Sequence, residues 1–130
     1  MVCFDTDFLI AFLNKNPDAL KKLEDLEAKG SRTACTTTVN VAELYKGVYR
    51  ANDRQKEVDR VKRLVDTLHL LTLDGESARL VGELDAAMKS STIGDLDIFI
   101  ASIAVANGET LVTRNVKHFE RVPGLEVESW

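Results

Sequence analysis

Short apolar runs alternate along this chain with longer stretches in which apolar residues recur every three or four positions. The first run, Val2 to Phe4, is ended by Asp5 and predicts a buried strand. A helix follows, with Thr6 or Asp7 placed to cap it and Phe8, Leu9, Phe12 and Leu13 as its apolar stripe. Asn16 then caps a second helix with Pro17 at its first position; Ala19, Leu23 and Leu26 form its inner face and Gly30 closes it. Arg32 to Thr37 has the β-branched character of a strand, and Thr38 reads as the cap of a helix from Val39 to Arg50. A charged helix from Asp53 to Asp66 repeats Val58, Val61 and Val65 on one side. Leu68 to Leu73 predicts a third strand, Glu76 to Lys89 a helix, and Asp95 to Asn107 a more apolar helix stopped by Gly108. Thr110 to Thr113 predicts the fourth strand and Glu126 to Glu128 a short fifth.

Strands separated by helices of this length predict a parallel sheet covered on both faces, hence an α/β fold. Right-handed crossovers bring helix starts and strand ends to one edge of such a sheet, where active sites form. Asp5 ends a strand there, the helix behind Thr38 leaves from there, and the Asp95 helix must begin there because its other end feeds strand four. Thr113 and Asn115 finish strand four on the same side. Topology thus collects groups that are distant in sequence.

Composition narrows the chemistry. The 130 residues are 45% hydrophobic and 29% charged, which suits a single domain spanning 1–130. The longest apolar stretches, Phe8 to Leu13 and Ile98 to Ala106, are too short to span a membrane, and MVCFDTD lacks the basic flank of a signal peptide. A cytoplasmic protein is expected by default. The net charge of −4 counts weakly against a nucleic-acid partner, although a carboxylate cluster reverses its local sign once it binds cations. Cys3 and Cys35 read as buried small hydrophobes; a disulfide stays open if their strands are neighbours, and no zinc spacing exists. His69 and His118 lack ligand-spaced companions and read as structural or surface residues.

Acidic residues carry the remaining chemistry. Asp5 follows a buried strand with no basic neighbour in sequence. Glu43 is too deep in its helix for a capping box and lies off the Val41, Leu44 and Val48 stripe, beside Asn40 and Gly47. Asp95, after Gly94, suits an N-cap as well as a ligand. Asp97 opens a helix apolar nearly all round, so its carboxylate calls for a partner, and a cation would serve. Asp74 reads as a helix cap. Basic residues between Arg50 and Arg63, with Arg114, Lys117 and Arg121, fit a solvated face or the wall of a groove for a polyanion.

Four segments together, FDTDFLIAF, TTTVNVAEL, TIGDLDIFIAS and GETLVTRNVKHFERVPGLEVESW, make the chain resemble the PIN-domain nucleases, specifically the VapC-type ribonuclease toxins of prokaryotic toxin–antitoxin pairs. The resemblance implies a three-layer α/β/α sandwich with strand order 3-2-1-4-5. It carries the family's acids onto Asp5, Glu43 and Asp97, with Asp95 as an additional acid. Where other members place a fourth carboxylate after strand four, this chain has Asn115, a departure that puts a full two-metal site in doubt. Asn115 and Thr113, with Thr6, are expected to hydrogen-bond metal-bound water or the scissile phosphate. The implied activity is Mg²⁺- or Mn²⁺-assisted hydrolysis of RNA, held off by a VapB-type antitoxin, in a homodimer. The helices between Gly47 and Leu68 are the expected partner surface, on the ground that Val48, Val58 and Leu64 need cover. Two rivals remain: a catalytically silent PIN-like binding module, and a receiver-type domain using Asp5, Asp7 and a phosphoacceptor Asp74.

Overall fold

A computed structural model describes residues 2–30, 33–88 and 93–130. The elements are β1 (Val2–Phe4), α1 (Thr6–Leu13), α2 (Pro17–Ala28), β2 (Ala34–Thr37), α3 (Thr38–Val48) and α4 (Arg54–Val65). They continue as β3 (His69–Leu71), α5 (Gly75–Ala87), α6 (Asp95–Ala106), β4 (Thr110–Val112), α7 (Val116–Phe119) and β5 (Val127–Glu128). Arg32 and Lys89, the outer ends of an expected strand and helix, lie outside the described residues.

The strands form one sheet in the order β3-β2-β1-β4-β5, every neighbouring pair parallel. Side chains alternate across it, as extended backbone requires. Cys3, Cys35 and Leu111 join α5, α6 and α7 in one apolar core containing Leu84, Ile98 and Phe119. Phe4 and Val112 face the other way, into a second core with Phe8, Leu9, Leu26, Leu44 and Val61 of α1 to α4. Two cores flanking one sheet make the three layers.

Cys3 and Cys35 are register partners on adjacent strands, buried and reduced. Their mutual hydrogen bond, and then burial, push the Cys3 thiol well above its ordinary range. They serve as small core residues.

Three caps differ from expectation, each by one or two residues. Asp5, rather than Thr6 or Asp7, is the N-cap of α1, because the helix begins directly where β1 ends. Thr37, rather than Thr38, caps α3, with Asn40 completing a reciprocal capping box. Gly94, rather than Asp95, occupies the N-cap of α6, which has no side-chain cap bond. By contrast, Asn16 and Asp74 cap α2 and α5 as expected, and Asp53, the first residue of the expected charged helix, caps α4. Val48 is buried, whereas Val58 and Leu64 are covered only in part by the chain's own second core. Among the described residues, no helix is long and apolar enough to cross a membrane.

Candidate active site

Asp5 sits where β1 turns into α1, its main-chain N–H still held by the Val112 carbonyl at 3.0 Å. The residue is only 7% exposed. Its Oδ1 accepts from the Thr6 N–H and from Asn40 Nδ2, both at 2.9 Å. Its Oδ2 accepts from the Thr113 hydroxyl at 2.7 Å. Burial nevertheless pushes its pKa up to about 6 from the ordinary 3.8; the Thr113 and Thr6 hydrogen bonds oppose the rise, and the nearby charges of Asp7 and Asp97 add to it. Asp97 is thus within electrostatic reach of Asp5.

Asn40 is the hub that ties Asp5 to Glu43. It is fully buried on α3. Its Oδ1 accepts from the Thr37 hydroxyl at 2.7 Å, and its Nδ2 donates both to Asp5 and to Thr6 Oγ1, each at 2.9 Å. The Thr6 hydroxyl in turn donates to Glu43 Oε1 at 2.7 Å. Each amide and hydroxyl hydrogen therefore has one direction, and the chain of bonds ends on a carboxylate. Glu43 is half-buried.

Asp7 does structural work beside this centre. Its Oδ2 accepts from the Arg114 N–H at 3.0 Å and lies 3.2 Å from the Thr113 hydroxyl, while its Oδ1 accepts from Trp130 Nε1 at 3.2 Å. The Arg114 guanidinium lies 3.8 Å above the Trp130 ring. These contacts fasten the end of the chain and the loop after β4 to α1.

Asp97, in the first turn of α6, is half-exposed, and its Oδ2 stands 2.9 Å from Nε2 of His118 on α7. His118, read from the sequence as structural or surface, thus stands beside Asp97, while His69 lies exposed on the outer strand β3. Asp95 is exposed and is not drawn into the hydrogen-bonded centre. Thr113 and Thr6 are central to it. Asn115 is exposed, and its main-chain N–H donates to Thr113 Oγ1 at 3.1 Å. Asp74 is the cap of α5, its Oδ1 accepting from the Ser77 N–H at 2.9 Å.

Among the described residues, no three His, Cys, Asp or Glu side chains stand together as a ready chelate. The donor chemistry still suits a hard divalent ion: carboxylate and hydroxyl oxygens on a buried edge, with the Asp5 anion destabilised first by burial and further by Asp7 and Asp97.

Residues 2–125 match the PIN domain family. Over 97% of this chain and 95% of the relative, the sequence is 32% identical to ribonuclease VapC2 of Rickettsia felis. It is 27% identical to the tRNA(fMet)-specific endonuclease VapC of Salmonella typhimurium, with the same coverage. The fold superposes on the structure of VapBC2 from Rickettsia felis bound to a promoter DNA fragment with a TM-score of 0.89, at 30% identity over 100% of this chain and 99% of that one. For the DNA-bound VapBC of Salmonella typhimurium the TM-score is 0.86, at 28% identity and the same coverage. With its strand order, buried Asp5 and whole-length similarity, the chain belongs to the PIN-domain family and, within it, to the VapC ribonucleases.

Proposed function

We propose that this chain is an endoribonuclease that hydrolyses RNA phosphodiesters with Mg²⁺ or Mn²⁺ bound at the C-terminal edge of its sheet, as the toxin of a VapBC pair. The observation that carries the reading is the directed hydrogen-bond path Thr37–Asn40–Thr6–Glu43, which shares Asn40 with buried Asp5. A buried polar network this complete fixes two carboxylates in place before any ligand arrives.

Asp5, Asp97 and Glu43 are the residues that would hold the ion. When bound, the ion supplies a Lewis acid for a phosphate oxygen and acidifies a coordinated water. The protein's own contribution is positional. Asn40 and Thr113 keep the Asp5 oxygens from rotating. Thr6 fixes one oxygen of Glu43, leaving the other to orient the attacking water and accept its proton. Thr113 and Asn115 line the approach of the scissile phosphate, and Asp95 adds negative field from the rim.

The partner follows from the family and from a groove of about 730 Å³ between α1, α2 and α4. Phe12, Leu13, Leu20 and Leu64 line it, with Lys15 and Arg63 beside them. Such a groove accepts an amphipathic segment bearing acids, and we assign it to a VapB-type antitoxin. The toxin would act as a homodimer in the cytoplasm, where its RNA resides.

The deciding experiment is Mn²⁺-dependent cleavage of a structured RNA by the wild type and by Asp5→Asn. Cleavage that survives the substitution removes the proposed centre. Absence of cleavage on every RNA tried favours a silent binding module, the reading that Asn115 keeps open.

A further inference from the structure

We infer that His118 is a nitrogen donor to the divalent ion at this edge, paired with Asp97 in a mixed imidazole–carboxylate set that favours Mn²⁺ over Mg²⁺. The inference rests on the reading of the edge as a metal-dependent centre and names a donor that this reading does not include.

His118 Nε2 stands 2.9 Å from Asp97 Oδ2. Despite that approach, Nε2 is shielded from solvent and makes no aligned hydrogen bond. A simple His–Asp ion pair would point an N–H at the carboxylate oxygen. Two ligands in adjacent positions around an octahedral ion, each roughly 2.1 Å from it, are themselves about 3 Å apart without pointing at each other. The observed pair has that separation and lacks that alignment.

The imidazole is also held in place. The His118 main-chain N–H donates to the Asn115 carbonyl at 3.1 Å, and its ring meets the Phe119 ring edge-on at 5.6 Å. Phe119 is fully buried in the core beneath α7. Asn115 stands at the N-cap of this same short helix. One helical turn on, His118 supplies a donor from the same element. Imidazole nitrogen suits Mn²⁺ and other first-row ions, whereas Mg²⁺ keeps to oxygen and gives up its waters reluctantly. Ligation requires Nε2 to be free of its proton.

The test uses the full chain loaded with Mn²⁺ and pulsed electron paramagnetic resonance. Nitrogen hyperfine coupling to Mn²⁺ is expected in the wild type, lost in His118→Ala and retained in His69→Ala, since the chain has only 2 histidines. In calorimetric titrations, His118→Ala should weaken Mn²⁺ binding at least about tenfold, the scale at which even outer partners of a metal register, and leave Mg²⁺ binding almost unchanged. His118→Asp should restore affinity and remove the preference for Mn²⁺. Absence of nitrogen coupling in the wild type, or Mn²⁺ binding by His118→Ala equal to the wild type, overturns the inference alone. If Asp5→Asn and Asp97→Asn both leave Mn²⁺ binding intact, the metal-centre reading falls, and this inference with it.

Discussion

Asp5 and Asp97 approach the same sheet edge from elements of opposite character. Asp5 is buried at a strand-to-helix junction and accepts hydrogen bonds from Thr6, Asn40 and Thr113. Asp97 is half-exposed on the uncapped first turn of α6, and its close neighbour is an imidazole that makes no aligned bond. The Asp5 side of the edge is thus organised by the protein's own hydrogen bonds, and the Asp97 side is not. The difference has a thermodynamic consequence: preorganisation at Asp5 carries a folding cost, whereas the Asp97 side avoids such a cost by staying near water.

The sharpest way to break this comparison is Asp5→Asn. The new amide can keep the geometry, with its oxygen accepting from Thr6 and Asn40 and its nitrogen donating to Thr113 Oγ1, whose hydroxyl then turns to Asp7. Cleavage should be lost, yet the metal-free protein should become more stable. The sign follows from the folded pKa of about 6 against 3.8. Between those values the folded state binds more protons than the unfolded one, so this group's contribution to stability falls as pH rises through the window and is lowest above about 6. The substitution should therefore stabilise by up to about 3 kcal/mol at neutral pH and by almost nothing below pH 4. Urea titrations in chelator at both pH values check it; a destabilised variant at neutral pH would contradict the account of Asp5.

Asn40→Ala should have the next largest effect, with the opposite sign on stability. It strands the fully buried Thr37 hydroxyl, removes a donor from buried Asp5 and frees the partly buried Thr6. A loss of about 2–4 kcal/mol is expected, together with a large fall in cleavage by the fraction that remains folded. Chemical denaturation and single-turnover cleavage separate the two effects.

This contrast also marks where the sequence was legible. The parallel α/β class was legible in the alternation of strands with helices, and the strand order only in the resemblance to the PIN-domain nucleases; within the strands, neighbours such as Cys3-Phe4 and Leu111-Val112 point to opposite layers. The caps were less readable, because adjacent residues of equal chemistry compete: Thr36, Thr37 and Thr38 all suit an N-cap, and the choice is made by Asn40 three residues beyond Thr37. That Thr-x-x-Asn spacing was the signal that would have singled out Asn40. Asp5 was read as a functional acid rather than a cap, and the structure makes it the cap of α1. For the Asp97–His118 approach there was no local signal, since α6, β4 and the turn into α7 intervene and only tertiary packing brings the two together.

Thr6→Val tests, at smaller scale, the path from Asn40 to Glu43 within the protein-organised half. The valine keeps the shape and removes both the bond to Glu43 Oε1 and the acceptor for Asn40 Nδ2. Stability should fall by about 1 kcal/mol, and cleavage by roughly tenfold if Glu43 must be oriented to act. A change in apparent metal affinity without a change in the chemical step would instead mean that Glu43 serves only as a ligand.

Asp95→Asn should produce the smallest effect. Asp95 is exposed on the first turn of α6, outside the hydrogen-bonded centre, so its influence is a screened charge acting through water. Removing it should change cleavage by less than about fivefold at low salt, and the difference should shrink as ionic strength passes about 0.15 M, where screening acts over roughly 8 Å. Helix stability should fall slightly, because an acid at the positive end of α6 contributes about 0.3–1 kcal/mol. A salt series on cleavage rate and metal affinity checks this. A large loss that persists at high salt would place Asp95 in direct contact with the ion, and the protein-organised half of the edge would then not be the only half with two fixed carboxylates.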